Sequence, residues 1–392
     1  MLKLLFSVVI LFTMWQEIRG QKIVGDSLDI SLLTCSQGNE LYSAFGHSAI
    51  RVQDRLNQVD AVFNYGTFDF SQEGFYINFV RGKLLYFLDI DQFESFYNQY
   101  EYEGREIREL GLMLTSTEKE NILKFLLWNS RRENRFYAYD FFWDNCSTRV
   151  RDIFSNEVKN KLVWNKAGWD TTITLRNCLK PYVHHLPWVD FGFDLILGLP
   201  CEKKAGVMDQ TFLPDRLERL VRNASLQTDS GKISFISRDV VLLPSNNSKA
   251  NSSPSLSPLS CFSILFIMVS GLTIVERKKK IYFPMLDYLL LGCSGFLGFF
   301  FLLMGLTEHY STPWNLNTLW LLPTNLIILF LPHNKIWGWL RKNYFRIAFG
   351  LSVLILICFP VFPQQLHLAF IPIILTLLLR FWSNFNKVHT DV

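Results

Sequence analysis

The sequence predicts an α+β exported domain followed by an all-α membrane domain of about five transmembrane helices. Three observations predict it. Charged and apolar residues alternate through the first two-thirds of the chain, whereas Leu, Ile and Phe dominate the last third. A Ser/Asn/Pro-rich stretch at 245–257 separates the two regions and is too polar to bury a core. The 392 residues have room for one globular domain besides the membrane part. A net charge of +4 singles out no partner. There is no Gly-rich phosphate loop, dinucleotide fingerprint or basic stripe, so no cofactor and no nucleic acid are expected.

Taken in order, Lys3, the apolar run Leu4 to Trp15 and Gly20 read as a signal peptide over 1–20, with an uncleaved anchor helix as the alternative. No cysteine stands at the cleavage point, so the chain is not expected to be a lipoprotein itself. The exported domain then runs over 21–244. Residues 30–33, 48–52 and 61–65 read as strands, the last two joined as a hairpin by a short polar loop. Alternation puts His47, Ala49 and Arg51 on one face of their strand and Ser48, Ile50 and Val52 on the other. Phe45-Gly46 supplies a turn that allows close backbone approach. Residues 68–100 are rich in aromatics, mostly core, some suited to an acyl groove or a membrane surface. Thr117 with Glu120 reads as a capping box before a helix that ends near 129–134. An aromatic strand-like run from Phe136 to Trp143 follows, and then a helix over 147–154.

Beyond the tether, apolar spans are expected at about 258–275, 283–306, 313–332, 345–362 and 365–381. Lysine and arginine cluster after the first, third and fifth spans (Arg277 to Lys280, Lys335 to Arg346, Arg380 and Lys387). The intervening loops carry none, which puts the N-terminal domain outside and a short tail, 383–392, inside. Asp287 is the main charge expected within the membrane, near the inner interface.

The residues suited to chemistry are His47, in Phe45-Gly46-His47-Ser48-Ala49-Ile50-Arg51, and Cys146, in Asp144-Asn145-Cys146-Ser147-Thr148-Arg149. A thiol at a helix start, capped by Asp144 or Asn145, gains thiolate character from the unpaired amides and the helix dipole. The same amides are candidates to bind an oxyanion, and an imidazole nearby can take the proton. The competing reading is a disulfide, since Cys35, Cys178 and Cys201 share the domain. Asn145-Cys146-Ser147 is also a formal glycosylation sequon; a glycan there would block the thiol, which favours a bacterial envelope. Asn64, on the strand after the histidine, is the candidate to orient its imidazole, with Asp69 as competitor. Arg51, Asn145 and Arg149 are candidates to contact substrate, although pairing of Arg149 and Arg151 with Asp152 is the commoner fate. In the membrane part, Glu308, His309 and Asn315 form a polar external loop. That loop is either an ordinary interfacial turn or a place for substrate. No histidine has zinc-ligand spacing, so no metal is expected.

Histidine before an Asn-Cys nucleophile resembles the circularly permuted, NlpC-like branch of the papain-like superfamily, which includes the lecithin:retinol acyltransferases. The resemblance becomes closer in the two strings above, in Phe63-Asn64-Tyr65-Gly66-Thr67-Phe68, in Phe191 to Pro200 and in Phe212-Leu213-Pro214. Over roughly 25–220 these are similar to the Lnb-type lipoprotein N-acyltransferases, and the tethered membrane part is similar to their Bacteroidetes branch. The resemblance implies a permuted papain-like fold, Cys146 as nucleophile and His47 as base. It also implies acyl transfer from a phospholipid, through a thioester, to the N-terminal amine of a diacylglyceryl-cysteine lipoprotein, at the bacterial inner membrane with the catalytic domain periplasmic. Two rivals stand beside it. One is a hydrolase of the same superfamily, a cell-wall peptidase or a phospholipase. The other is a non-enzymatic membrane-tethered binding or assembly module.

Overall fold

A computed structural model of the chain describes residues 24–38, 40–158, 161–246, 256–331 and 335–387. The expected signal peptide, most of the expected tether and the end of the expected tail lie outside them. The described chain divides into two compact units. One comprises the described residues within 24–71, 85–169 and 207–246, the other those within 72–84, 170–206 and 256–387.

The first unit is built on an antiparallel sheet. Its strands are β1 (Leu28–Cys35), β2 (His47–Asp54), β3 (Val59–Thr67), β4 (Leu85–Gln92), β5 (Ile107–Leu112), β6 (Phe136–Ala138) and, after a three-stranded sheet of β7 (Leu162–Val163), β8 (Ser225–Thr228) and β9 (Gly231–Ser234), β10 (Ile236–Leu243). The large sheet runs β10-β5-β1-β2-β3-β4-β6. The expected hairpin is β2–β3, with Ile50 opposite Phe63. Alternation sorts its side chains as the pattern requires. Leu28, Ile30, Leu32, Ile50, Val52, Phe63 and Tyr65 face one core, against Ile122 and Leu126, Val150 and Phe154, and Leu217 and Val221 from three helices. Leu33, Cys35, Ala49 and Val62 face a second, smaller core against Phe96 and Tyr100 of the helix Phe93–Tyr102.

The three helices of the larger core are Ser116–Asn129, Cys146–Glu157 and Pro214–Arg222. The capping box of the first is Thr115 with Glu118, not Thr117 with Glu120. Both pairs fit the sequence pattern, and the one in place starts the helix two residues earlier; Ile122 and Leu126 are fully buried. The aromatic run after that helix is strand only over β6. It then turns through Asp140, whose carboxylate accepts from the amides of Phe142 and Trp143.

The second unit holds three helices long and apolar enough to cross a membrane: Pro258–Lys279, Pro284–Met304 and Trp337–Val361. The apolar helices Leu316–Phe330 and Phe370–Asn386 are shorter. The span expected over 313–332 is broken. A 3-10 turn, Leu316–Leu319, leads through Pro323 to the α-helix Thr324–Phe330. Proline lacks the amide a continuous helix would need there. Arg380 is not a flanking charge either. It is fully buried in the last helix and pairs with Asp287 at 2.6 Å and with Glu276 at 2.6 Å. Residues 72–84 and 170–206, expected within the exported domain, group with these helices. Asn317 donates to the Asp194 and Leu195 carbonyls, and Phe191 packs on Phe262 and Phe370.

Candidate active site

Cys146 is the first residue of its helix, and Asn145 is the cap. The Asn145 Oδ1 accepts from the amides of Ser147 and Thr148, both at 2.9 Å, and Thr148 Oγ1 accepts from the Asn145 amide at 2.8 Å. Asn145 Nδ2 donates to the carbonyls of Phe141 and Phe212, each at 2.8 Å. Asn145 is thus buried and fully engaged in holding the helix start, which leaves it nothing to offer a substrate. Its capping also takes two of the amides that the sequence put forward for an oxyanion.

His47 opens β2. The glycine before it has φ +83°, and a Cβ there would stand 2.6 Å from the Cys35 carbonyl, so only glycine makes this entry. The His47 imidazole and the Cys146 thiol are close enough for each to shift the titration of the other. Their approach is fixed by the residues that follow each of them: Ser48 Oγ and Ser147 Oγ, both buried, lie 2.9 Å apart. On its other side His47 Nε2 donates to Asn64 Oδ1 at 3.1 Å, and Asn64 Nδ2 donates to Asp91 Oδ2 at 2.8 Å. An ionised carboxylate only accepts, so Asp91 makes Asn64 present its amide nitrogen to β4 and its oxygen to the ring. That arrangement selects the imidazole tautomer protonated on Nε2. Asp69, the competitor, is exposed and accepts from Ser71 instead.

Electrostatics follow from these contacts. Burial pushes the Cys146 thiol up, but the His47 charge and hydrogen bond, the Ser48 amide and the Ser147 hydroxyl outweigh it. The thiol ends below its ordinary value. For His47, burial disfavours the imidazolium, yet the charge and hydrogen bond of Cys146 and the bond to Asn64 raise it above its ordinary value. The pair therefore favours thiolate and imidazolium together. Burial raises the Asp91 carboxyl, helped by Asp89. Cys35, opposite His47 on β1, is pushed by burial to about 12 and is inert. Both Cys35 and Cys146 are free thiols, so Cys146 is not spent on a disulfide.

Two tyrosines that the sequence did not single out complete the site. A Cβ on Gly66 would lie 3.5 Å from Tyr139 Cε2, 3.7 Å from Cys146 Cβ and 3.9 Å from Tyr137 Oη, so these side chains converge on the bare glycine. The Tyr137 hydroxyl is buried and has no hydrogen-bond partner among the described residues. The Arg149 guanidinium sits 3.5 Å from the centre of the Tyr137 ring.

The remaining candidates are placed as follows. Arg149 is held in a fork by Asp144, at 2.6 and 2.7 Å, rather than by Asp152, which pairs with Arg151. Arg51 is buried, bound to Asp60 at 2.6 Å and Glu109 at 3.1 Å, and lies over the Phe93 ring. It locks the sheet and is not placed to meet a substrate. In the second unit, Glu308 pairs with Lys83 at 2.9 Å and His309 Nε2 hydrogen-bonds the Phe79 carbonyl at 2.8 Å. Asn315 is buried, donating to the carbonyls of Leu195 and Ile196. Among the described residues no group of three His, Cys, Asp or Glu side chains is arranged to hold a metal.

Comparison with known proteins agrees with this layout. The family model of the Lnb N-terminal periplasmic domain matches residues 16–180, and that of the Lnb transmembrane domain matches residues 249–390. No curated protein and no solved structure gives a significant match. A periplasmic domain and a transmembrane domain of the Lnb kind, in that order on one chain, define a membrane protein with a periplasmic N-terminal part. The chain thus has the domain architecture of the Lnb-type lipoprotein N-acyltransferases.

Proposed function

We propose that the chain is a cysteine acyltransferase that completes lipoproteins. In the first half-reaction His47 takes the Cys146 proton and Sγ attacks the carbonyl carbon of a phospholipid acyl ester. The tetrahedral intermediate collapses, the glycerol oxygen leaves with the proton held by His47, and a lysophospholipid departs from a Cys146 thioester. In the second, the α-amine of a diacylglyceryl-cysteine lipoprotein attacks the thioester and loses a proton to His47. The amide product leaves and Cys146 regains its proton. Asn64 and Asp91 keep the imidazole in register through both. The Tyr137 hydroxyl is the donor suited to the developing oxyanion, because Asn145 occupies the Ser147 and Thr148 amides. A permuted papain-like arrangement, export by a cleaved signal peptide, an inner-membrane location and a cytoplasmic C-terminus belong to the same reading.

The observation that carries the proposal is the free Cys146 thiol, lowered by the charge of a His47 that Asn64 and Asp91 orient, in a chain of Lnb architecture. The test is mass spectrometry of a synthetic diacylated lipopeptide incubated with phospholipid and the detergent-purified protein, wild type beside Cys146→Ala. Wild type is expected to add one acyl chain to the peptide and release lysophospholipid, and the variant to do neither. Lysophospholipid without acylated peptide would make the protein a phospholipase, and an active Cys146→Ala would overturn the mechanism.

A further inference from the structure

The helix Phe75–Val80 reads Phe-Tyr-Ile-Asn-Phe-Val and buries none of its residues. Tyr76 is 78% exposed, Ile77 66% and Phe79 51%. A water-facing helix of this composition is unfavourable, so something apolar must cover it. Its attachment says what. The turn after the helix is bound to the loop that follows the span Pro284–Met304 by several separate ties. The Glu308 amide donates to the Arg81 carbonyl at 3.1 Å, Lys83 pairs with Glu308 at 2.9 Å, and His309 Nε2 hydrogen-bonds the Phe79 carbonyl at 2.8 Å. The Phe79 and His309 rings meet edge to face. Gly82, at φ +71°, lets the two backbones touch: a Cβ there would stand 2.9 Å from Glu308 C and His309 N.

Glu308 is four residues beyond the end of that span. Four residues reach at most about 14 Å, so the tied helix is confined to the neighbourhood of the headgroup layer. The same loop exposes Leu306, Tyr310 and Trp314, at 84%, 69% and 79%. Aromatic and aliphatic side chains flanked by Arg81 and Lys83, at the end of a span, are the composition of a membrane interface.

We propose that Phe75–Val80 is an interfacial element whose Tyr76, Ile77 and Phe79 side chains enter the phospholipid surface at the headgroup–acyl boundary. The partner is the bilayer itself, and the contact stands whether or not the protein transfers acyl groups. To test it, p-benzoylphenylalanine replaces Tyr76 or, separately, Ile77 in the full-length chain in phospholipid nanodiscs. Leu289, exposed on the span Pro284–Met304, receives the same substitution as the reference. After irradiation, peptides carrying position 76 or 77 are expected to gain the mass of one phospholipid, as the peptide carrying position 289 does. Lipid adducts at 289 with none at 76 and 77 would overturn the proposal. So would crosslinked dimers in place of lipid adducts, which would make the helix a contact between copies of the chain.

Discussion

At the scale of single residues, the pair Cys146–His47 is set by neighbours that carry no chemistry of their own. Ser48 and Ser147 bond to each other at 2.9 Å and fix the distance between the strand start and the helix start. The consequence is a measurable thiol reactivity. Cys146 is held below the ordinary thiol value and His47 above the ordinary imidazole value, each by the charge of the other, so thiolate and imidazolium stabilise each other. Iodoacetamide alkylation of Cys146, followed by peptide mass, should therefore rise with pH earlier than for an ordinary thiol. His47→Ala removes the charge and the hydrogen bond but leaves the burial, so the inflection should move upward. An unmoved inflection would mean that the two groups do not interact. Tyr137 makes a second claim at this scale. Its hydroxyl has no partner to lose among the described residues, so Tyr137→Phe should leave the melting temperature unchanged or slightly raised. Loss of an oxyanion donor should at the same time lower kcat by about 10²–10³. A fall in stability without a fall in kcat would assign the hydroxyl to the fold alone.

At the scale of elements, legibility in the sequence followed distance along the chain. Cys146, His47 and the β2–β3 hairpin sit in short strings whose turn, cap and alternation signals are local. Asn64 was within reach because the hairpin that carries it is short. Asp91, which orients Asn64, is 27 residues further on in β4 and belongs to no motif. Tyr137 read as one aromatic in a run of many. Arg51 was misread for a related reason: its partner Glu109 comes from β5, whose place in the sheet no local pattern announces. Arg380 repeats the lesson in the membrane unit. From sequence it is one more basic residue at a helix end, yet it is buried between Glu276 of the helix Pro258–Lys279 and Asp287 of the helix Pro284–Met304. Asn384 and Tyr282 also donate to Asp287, and Thr273 accepts from Arg380. Removing the cation strands two buried carboxylates, so Arg380→Met should cost on the order of 3–5 kcal/mol. Replacing Arg380, Glu276 and Asp287 together by apolar residues of similar size should recover most of that loss. Thermal unfolding of the detergent-solubilised variants by intrinsic fluorescence gives the comparison; equal losses in both would show that the triad is not energetically coupled.

At the scale of the whole molecule, the boundary read from composition does not coincide with the boundary in the fold. Composition changes once, near 245, because that is where polar residues give way to continuous apolar ones. The chain, however, has already supplied residues 72–84 and 170–206 to the helical unit. In that unit Phe191 packs between Phe262 and Phe370, and Asn317 and Asn315 bind the carbonyls of Asp194, Leu195 and Ile196. Gly198 is packed so closely on the Pro313 carbonyl that there is no room for a Cβ. A fragment ending at residue 246 keeps both segments and loses the partners beyond residue 249 that they pack on. Backbone carbonyls and an aromatic cluster would then meet water, and local opening of such segments needs little free energy. Limited proteolysis of this fragment should therefore cut within 72–84 and 170–206 while the sheet and the Cys146 helix resist. In the full-length protein in nanodiscs the same sites should be protected. Equal protection in both would mean that the two segments hold their structure without the helices, and that the compositional boundary is the true one.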